Sequence, residues 1–282
     1  MKNFTIGVIG QGFVGSAITS GLGKFYEVVT FDIDSSKCNS THEEVCNNSD
    51  IIFVCLPTPM RKNGKCDTRI VESEIQKIDD LCAISGKSPI LVIKSTVPPG
   101  TTERINKFSR LDVCFSPEFL TEANSFSDFE NQSRIIVGGP RPATGTIKQM
   151  FRKAFPTIPI VKTGSNTAET VKYFTNCFLA TKVIFANEMY NICLEANIDF
   201  DKVTEYALYD SRIGKSHLMV PGPDGDMGFG GHCFPKDMEA MVYFANTLGI
   251  DTSLLKCVLD KNEKIRKNKD WKMMKGRAVV DE

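Results

Sequence analysis

The sequence predicts an α/β chain, and three observations carry that expectation. A β-rich apolar run, Thr5–Ile9, leads straight into Gly10-Gln11-Gly12-Phe13-Val14-Gly15 and then into a helical pattern through Ala17, Ile18 and Leu22. Continuous apolar runs follow at Asp50–Leu56 and Ile90–Lys94, as in parallel strands covered on both faces. From Asn166 the apolar period changes to three- and four-residue steps through Val171, Phe174, Phe178, Phe185, Met189 and Ile192, with a break at Thr181. These patterns predict a Rossmann-like doubly wound sheet over residues 1–164, an all-helical domain over 165–267, and a tail at 268–282 that reads as the start of a further domain.

Composition narrows the function classes. The 282 residues hold 34 basic and 34 acidic side chains, so no global charge points to nucleic acid or an anionic membrane. No apolar run reaches the roughly 20 residues of a membrane-spanning helix. A strand beginning within the first six residues leaves no room for a signal peptide. Ten cysteines are scattered without zinc or redox spacing, and Cys55, Cys177 and Cys193 lie in apolar runs, which fits a reduced, cytoplasmic chain. His42, His217 and His232 show no ligand-like spacing, so no metal site is expected.

Strand, G-x-G-x-x-G and helix in that order form a context for dinucleotide binding. The glycines permit a tight turn and let a pyrophosphate approach the helix amino end. A second strand, Glu27–Phe31, ends at Asp32, 22 residues after Gly10. A carboxylate there accepts from both ribose hydroxyls and repels a 2′-phosphate, which favours NAD over NADP. Thr58 and Thr96 close two further strands, where open parallel sheets bind ligands, although plain turn residues also occur there.

A short strand, Asp112–Phe115, leads to Ser116-Pro117-Glu118-Phe119-Leu120-Thr121-Glu122; were that segment helical, Glu118 and Glu122 would share a face. Arg134–Gly139 and Ile158–Val161 complete the strands. Helices are expected over about 167–196, 200–209, 236–248 and 254–267. Lys172 and Asn176, at i and i+4, lie on one face of the first. Gly214–Gly231 is a loop of about 18 residues, a length more common in functional elements than in connectors. It ends in Gly228-Phe229-Gly230-Gly231-His232-Cys233-Phe234-Pro235-Lys236-Asp237. Glycines leave Cys233 open to close approach, and a nearby cation and carboxylate can tune a thiol or manage a water. A thiol nucleophile beside a hydride acceptor suggests oxidation through a thiohemiacetal and a thioester. His232 is read as structural. Lys275–Val280 resembles the start of another strand, which alone would lack a partner.

Together these segments resemble the UDP-glucose/GDP-mannose dehydrogenase family, and within it the UDP-glucose 6-dehydrogenases. The resemblance rests on Gly10–Gly15, Pro57–Pro59, Lys94–Gly100, Ser116–Leu120, Glu169–Tyr173 with Asn176, Asn187-Glu188, Asp210–Gly214 and the cysteine run, in family order. It implies a four-electron oxidation of a sugar C6 alcohol to a carboxylate with two NAD per turnover. By that resemblance Cys233 is the nucleophile, Lys172 and Asn176 stabilise an oxyanion, Asp237 and Thr96 place the hydrolytic water, and Glu122 serves acid–base steps. Glu118, Phe119, Leu120, Lys172, Asn176 and Gly230 would contact a UDP-sugar, and Arg212 would reach a neighbouring subunit's site, making the helical domain one of homodimerisation. Gly10, Gly12, Phe13, Val14, Gly15, Asp32, Lys37, Thr58 and Thr96 would hold NAD.

Two departures stand against it. Family members usually continue into a second α/β domain that holds the UDP end of the substrate, and Lys215–Met227 is longer than usual. Two other readings stay open: a NAD-binding and dimerisation module without turnover, and a β-hydroxyacid-type dehydrogenase that uses a lysine and no thiol. Within the family, a GDP-mannose or UDP-N-acetylmannosamine substrate is the alternative.

Overall fold

The computed structural model describes residues 3–280. Strands β1 (Thr5–Ile9), β2 (Glu27–Phe31), β3 (Ile51–Val54), β4 (Ile90–Ile93), β5 (Val113–Phe115), β6 (Ile135–Gly138) and β7 (Ile160–Thr163) form one sheet in the order β2-β1-β3-β4-β5-β6-β7. Between them run α1 (Phe13–Gly23), α2 (His42–Asn48), α3 (Arg69–Ser85), α4 (Thr101–Ile105), α5 (Ser125–Glu130) and α6 (Arg141–Ala154). Strands β1 to β5 are mutually parallel. The chain reverses at β6, which meets β5 antiparallel through the pair Phe115–Gly138, and β7 then runs parallel to β6. The sequence held no signal for this reversal.

The period of two along the strands divides the core. In β3, Ile51 and Phe53 join Ile6, Val8, Leu22 and Phe151 on one face. Ile52 and Val54 join Ile9, Ile75, Ile78, Ile93 and Phe115 on the other. Helices on both faces thus account for the continuous apolar runs.

The remaining helices are α7 (Ser165–Glu195), α8 (Phe200–Ala207), α9 (Phe234–Thr247) and α10 (Ser253–Ile265). Two compact units result. One takes in the chain up to Thr58 and again Thr68–Lys172; the other takes in Pro59–Asp67 and the chain from Tyr173 onward. The compact units meet inside α7, between Lys172 and Tyr173. In the first unit, buried Glu169 accepts the N–H groups of Gly100 and Thr102 at 2.7 and 2.8 Å, closing the start of α4.

In the second unit Lys275–Val280 is not a regular strand, and it does find a partner. Met60 N–H donates to Ala278 O at 2.8 Å and Val280 N–H donates to Met60 O at 2.9 Å. The expected tail is described as far as Val280; its last two residues, like Met1 and Lys2, lie outside the described residues. The apolar stripe of α7 is not a core stripe here. Phe174, Phe178 and Phe185 are 71%, 60% and 62% exposed, and the first two rings stack. The helix buries Tyr173, Cys177, Ala180 and Ile184 instead.

Candidate active site

The glycine turn is built for close approach. Gly10 adopts φ +90°, and a Cβ there would meet Cys55 O at 2.4 Å. A Cβ on Gly15 would lie 1.8 Å from Gly10 O, so the helix can start this near the strand only with glycine. At Gly12 an added Cβ meets nothing within 4 Å, so open space fronts the amino end of α1, which no side chain caps. Open space, uncapped N–H groups and the helix dipole fit a dinucleotide pyrophosphate. Asp32, just past β2, accepts the N–H of Gln11 at 2.6 Å and that of Asp34 at 2.9 Å, which fixes its carboxylate beside the turn. Lys37 is exposed and pairs with Asp34 at 3.3 Å. Thr58 Oγ1 donates to Thr96 O at 2.8 Å, and both threonines are buried.

The segment after β5 is not helical, so Glu118 and Glu122 do not share a helix face. Residues 116–121 are irregular; Glu118 is buried and Glu122 exposed. The reason is local and tertiary. Carbonyls that a helix would use are taken by ammonium groups: Lys94 Nζ donates to Pro117 O at 3.2 Å, and Lys172 Nζ donates to Glu118 O at 2.8 Å. Glu118 Oε1 accepts from Lys172 at 2.8 Å and Oε2 from Leu120 N–H at 2.7 Å. Burial pushes the Glu118 carboxyl up, but Lys172, the Leu120 N–H and Lys94 outweigh it and hold the group below the usual carboxylate range. Phe119 lies beneath the Arg134 guanidinium, 4.0 Å from ring centroid to Cζ.

In the second unit Cys233 caps the amino end of α9, where Pro235 suits the first turn. It is half-buried, and its carbonyl accepts Asp237 N–H at 3.0 Å. Lys236 donates to Asp237 Oδ1 at 2.5 Å and Asn176 Nδ2 donates to Asp237 Oδ2 at 2.6 Å, all three side chains buried. Burial opposes the Lys236 charge, but Asp237 outweighs it and raises the ammonium above its ordinary range. Lys172 thus donates to Glu118 within the first unit, and Asn176 to Asp237 within the second.

The long loop is ordered by residues on either side of it in sequence. Asn187 Oδ1 accepts Gly228 N–H at 3.0 Å, and Asn262 exchanges two hydrogen bonds with the Phe229 backbone, at 2.8 and 3.0 Å. Asp270 accepts Gly231 N–H at 3.1 Å. A Cβ on Gly230 would meet Arg266 Nη2 at 2.4 Å, and buried Arg266 binds Asp224 of the loop. Arg212 is 87% exposed on its side chain and bonded to Asp210. The sequence placed Lys94 and Tyr173 in recognisable segments without a role for either side chain, and gave no signal for Cys66. Cys66 and Tyr173 form a buried cluster with Ala240 of α9. Their side-chain partners are distant in sequence, so no local pattern gives those contacts.

Residues 39–155 match the UDP-glucose/GDP-mannose dehydrogenase family NAD binding domain, and residues 166–264 match that family's central domain. UDP-glucose 6-dehydrogenase TuaD of Bacillus subtilis is 32% identical over 93% of this chain and 63% of its own length. UDP-glucose 6-dehydrogenase AglM of Haloferax volcanii is 30% identical over 92% of this chain and 69% of its own. The chain therefore spans about two thirds of these relatives. The structure of a UDP-glucose dehydrogenase from Pyrobaculum islandicum superposes with a TM-score of 0.83 at 28% identity, over 93% of this chain and 68% of that one. A Mycobacterium tuberculosis 3-hydroxyisobutyrate dehydrogenase gives 0.73 at 15% identity, over 93% and 94%, which speaks for the fold alone. With a NAD binding domain and a central domain matched in order, this chain belongs to the UDP-glucose/GDP-mannose dehydrogenase family.

Proposed function

We propose that this chain carries the catalytic machinery of a nucleotide-sugar dehydrogenase that oxidises C6 of UDP-glucose to the carboxylate. The observation that carries the reading is the first turn of α9: a half-buried thiol at its amino end, followed by a buried Lys236–Asp237–Asn176 network.

Bound NAD supplies the hydride acceptor, one for each of the two oxidations. Gly10, Gly12, Phe13, Val14 and Gly15 would hold its pyrophosphate, Asp32 its ribose, and Lys37, Thr58 and Thr96 would complete the contacts. Once the alcohol has become an aldehyde, the Cys233 sulfur bonds to the carbonyl carbon and the carbonyl oxygen takes a proton, giving a thiohemiacetal. Loss of a hydride and a proton from that adduct leaves a thioester. Water then attacks the thioester carbonyl, the C–S bond breaks, and the products are a carboxylate and the regenerated thiol. Lys172 and Asn176 donate to the oxygen where negative charge develops. Asp237 and Thr96 orient the water, and Glu122, exposed on its turn, exchanges protons. Glu118, Phe119, Leu120 and Gly230 contact the sugar nucleotide. Arg212 acts in a second copy, and the exposed Phe174, Phe178 and Phe185 support a homodimer through α7.

The deciding experiment supplies NAD and UDP-glucose and counts NADH per sugar, with GDP-mannose and UDP-N-acetylmannosamine as alternatives. Two NADH per sugar are expected, and Cys233→Ser should abolish acid formation while NAD still binds. Undiminished acid from Cys233→Ser would remove the thiol from the mechanism. NAD binding with no NADH from any sugar would instead establish the second reading, a NAD-binding module without turnover.

A further inference from the structure

Lys94 has no part in the reaction above. It follows β4, is 7% exposed, and lines a cavity of about 310 Å³ together with Glu118, Phe119, Asp128 and Arg134. Its ammonium is bonded only to neutral acceptors, Pro117 O at 3.2 Å and Ser116 Oγ at 3.4 Å. Lys172 and Lys236, also buried, each hold a carboxylate at 2.8 and 2.5 Å; Lys94 has none at ion-pair distance among the described residues.

The carboxylates on the cavity are already engaged. Glu118 is taken by Lys172 and Leu120 N–H. Asp128 Oδ2 accepts the Thr121 N–H at 2.7 Å and hydroxyl at 2.6 Å. Arg134 lines the same space, stacked on Phe119, with one polar contact to Ser133 Oγ at 3.3 Å. The charged side chains lining the cavity are Lys94 and Arg134 against Glu118 and Asp128, and both carboxylates are spent on other groups. A buried cation without a counter-ion is costly unless something anionic joins it.

We propose that this cavity is a binding site for a small oxyanion, a carboxylate or a tetrahedral phosphate-class group, held by the Lys94 ammonium with Arg134. The volume suffices, since a water occupies about 30 Å³. The titratable and charged groups facing Lys94 are Cys55, Glu118 and Lys172, with Asp128 and Arg134 across the cavity. Burial lowers the amine to about 8, and Lys172 adds to this against the pull of Glu118. The Cys55 thiol, pushed up to about 12 by burial, stays neutral over the same range. A bound anion therefore raises Lys94 again, so binding takes up a proton and weakens as pH rises through 8.

The test uses acetate for carboxylates and sulfate for tetrahedral oxyanions, since neither titrates between pH 7 and 9, with chloride at equal ionic strength as control. The ¹³Cε resonance of Lys94, recognised by its loss in Lys94→Arg, reports the proton. Either anion should move its titration midpoint up by a unit or more, and affinity should fall about tenfold from pH 7 to pH 9. Lys94→Arg should bind with no such pH dependence, and Lys94→Met should not bind. A midpoint that neither anion moves beyond chloride overturns the proposal, as does a Lys94→Arg variant as pH-dependent as the wild type. If Lys94→Met fails to fold, those two results still decide. No readout needs NAD or turnover, so failure of the dehydrogenase reading would leave this outcome separate.

Discussion

Removing Lys172 should expose how the first unit tolerates a buried carboxylate. Lys172→Met deletes the 2.8 Å ion pair with Glu118 and a second 2.8 Å bond to Glu118 O, in a place where both side chains are buried. Direct attraction at that distance is about 6 kcal/mol for an effective dielectric of 20. Breaking one side of a buried pair costs about 3–5 kcal/mol net, because the remaining charge is left unpaired. Glu118 keeps the Leu120 N–H and the nearby Lys94, which places the expected loss at the lower end, about 3 kcal/mol at pH 7. The pH dependence gives the sharper signature. In the wild type the Glu118 carboxyl is held below its usual range, so its contribution is present above the unfolded value and lost as pH falls through the folded one. Without Lys172, burial dominates and Glu118 rises above its unfolded value, so the penalty stands at neutral pH and fades on acidification. Urea unfolding followed by far-UV circular dichroism at pH 7 and pH 4.5 measures both. Lys172→Met should recover toward the wild type at the lower pH, and Lys172→Met/Glu118→Gln should recover at pH 7. A loss under about 1 kcal/mol at pH 7, or a double variant no better than the single, would refute the argument.

Two further outcomes are expected. Asp32→Ala should weaken NAD binding at least about tenfold and narrow the preference over NADP, measured by titration with each reduced cofactor; unchanged affinities would remove Asp32 from the ribose site. Lys94, lowered to about 8 from an unfolded value near 10.4, carries a destabilisation that is full below pH 8 and relieved as pH rises toward 10.4, by up to about 3 kcal/mol. Lys94→Met should therefore gain most over the wild type at pH 7–8 and lose that gain by pH 10; a pH-independent difference in urea midpoint would show that the proton is not the cause.

What could be read from sequence was local. Gly10, Gly12, Gly15 and Asp32 lie close together in the chain and act through backbone geometry, so spacing alone pointed to the dinucleotide turn. The Lys172–Asn176 pair was readable because one helical turn fixes it. The Cys233–Asp237 run was readable because a helix start makes neighbours of residues three and four apart. Whether Ser116–Glu122 is helical was open in the sequence, because the Lys94 and Lys172 groups that claim its carbonyls lie far along the chain. The stripe of Phe174, Phe178 and Phe185 has the period of a buried face, but periodicity reports which residues share a side, not what covers that side. Met60 and Ala278 could not be paired in advance, since a bridge of so few residues leaves no pattern.

The arrangement of buried charge explains how one helix can serve both units. Lys172 closes its ion pair with Glu118 inside the first unit, and Asn176 closes its bond to Asp237 inside the second. Glu169, one turn before Lys172, ends its bonding at Gly100 and Thr102, also in the first. Arg266 and Lys236 find Asp224 and Asp237 in the second. Each of these bonds joins groups of one unit, and each gives a buried polar or charged group a partner. Lys94 departs from that rule: buried with neutral acceptors, it is where the first unit carries charge it does not itself balance. The fold compensates Lys172 and Lys236 with carboxylates at under 3 Å, yet leaves Lys94, a residue lining the cavity, to carbonyl and hydroxyl oxygen among the described residues.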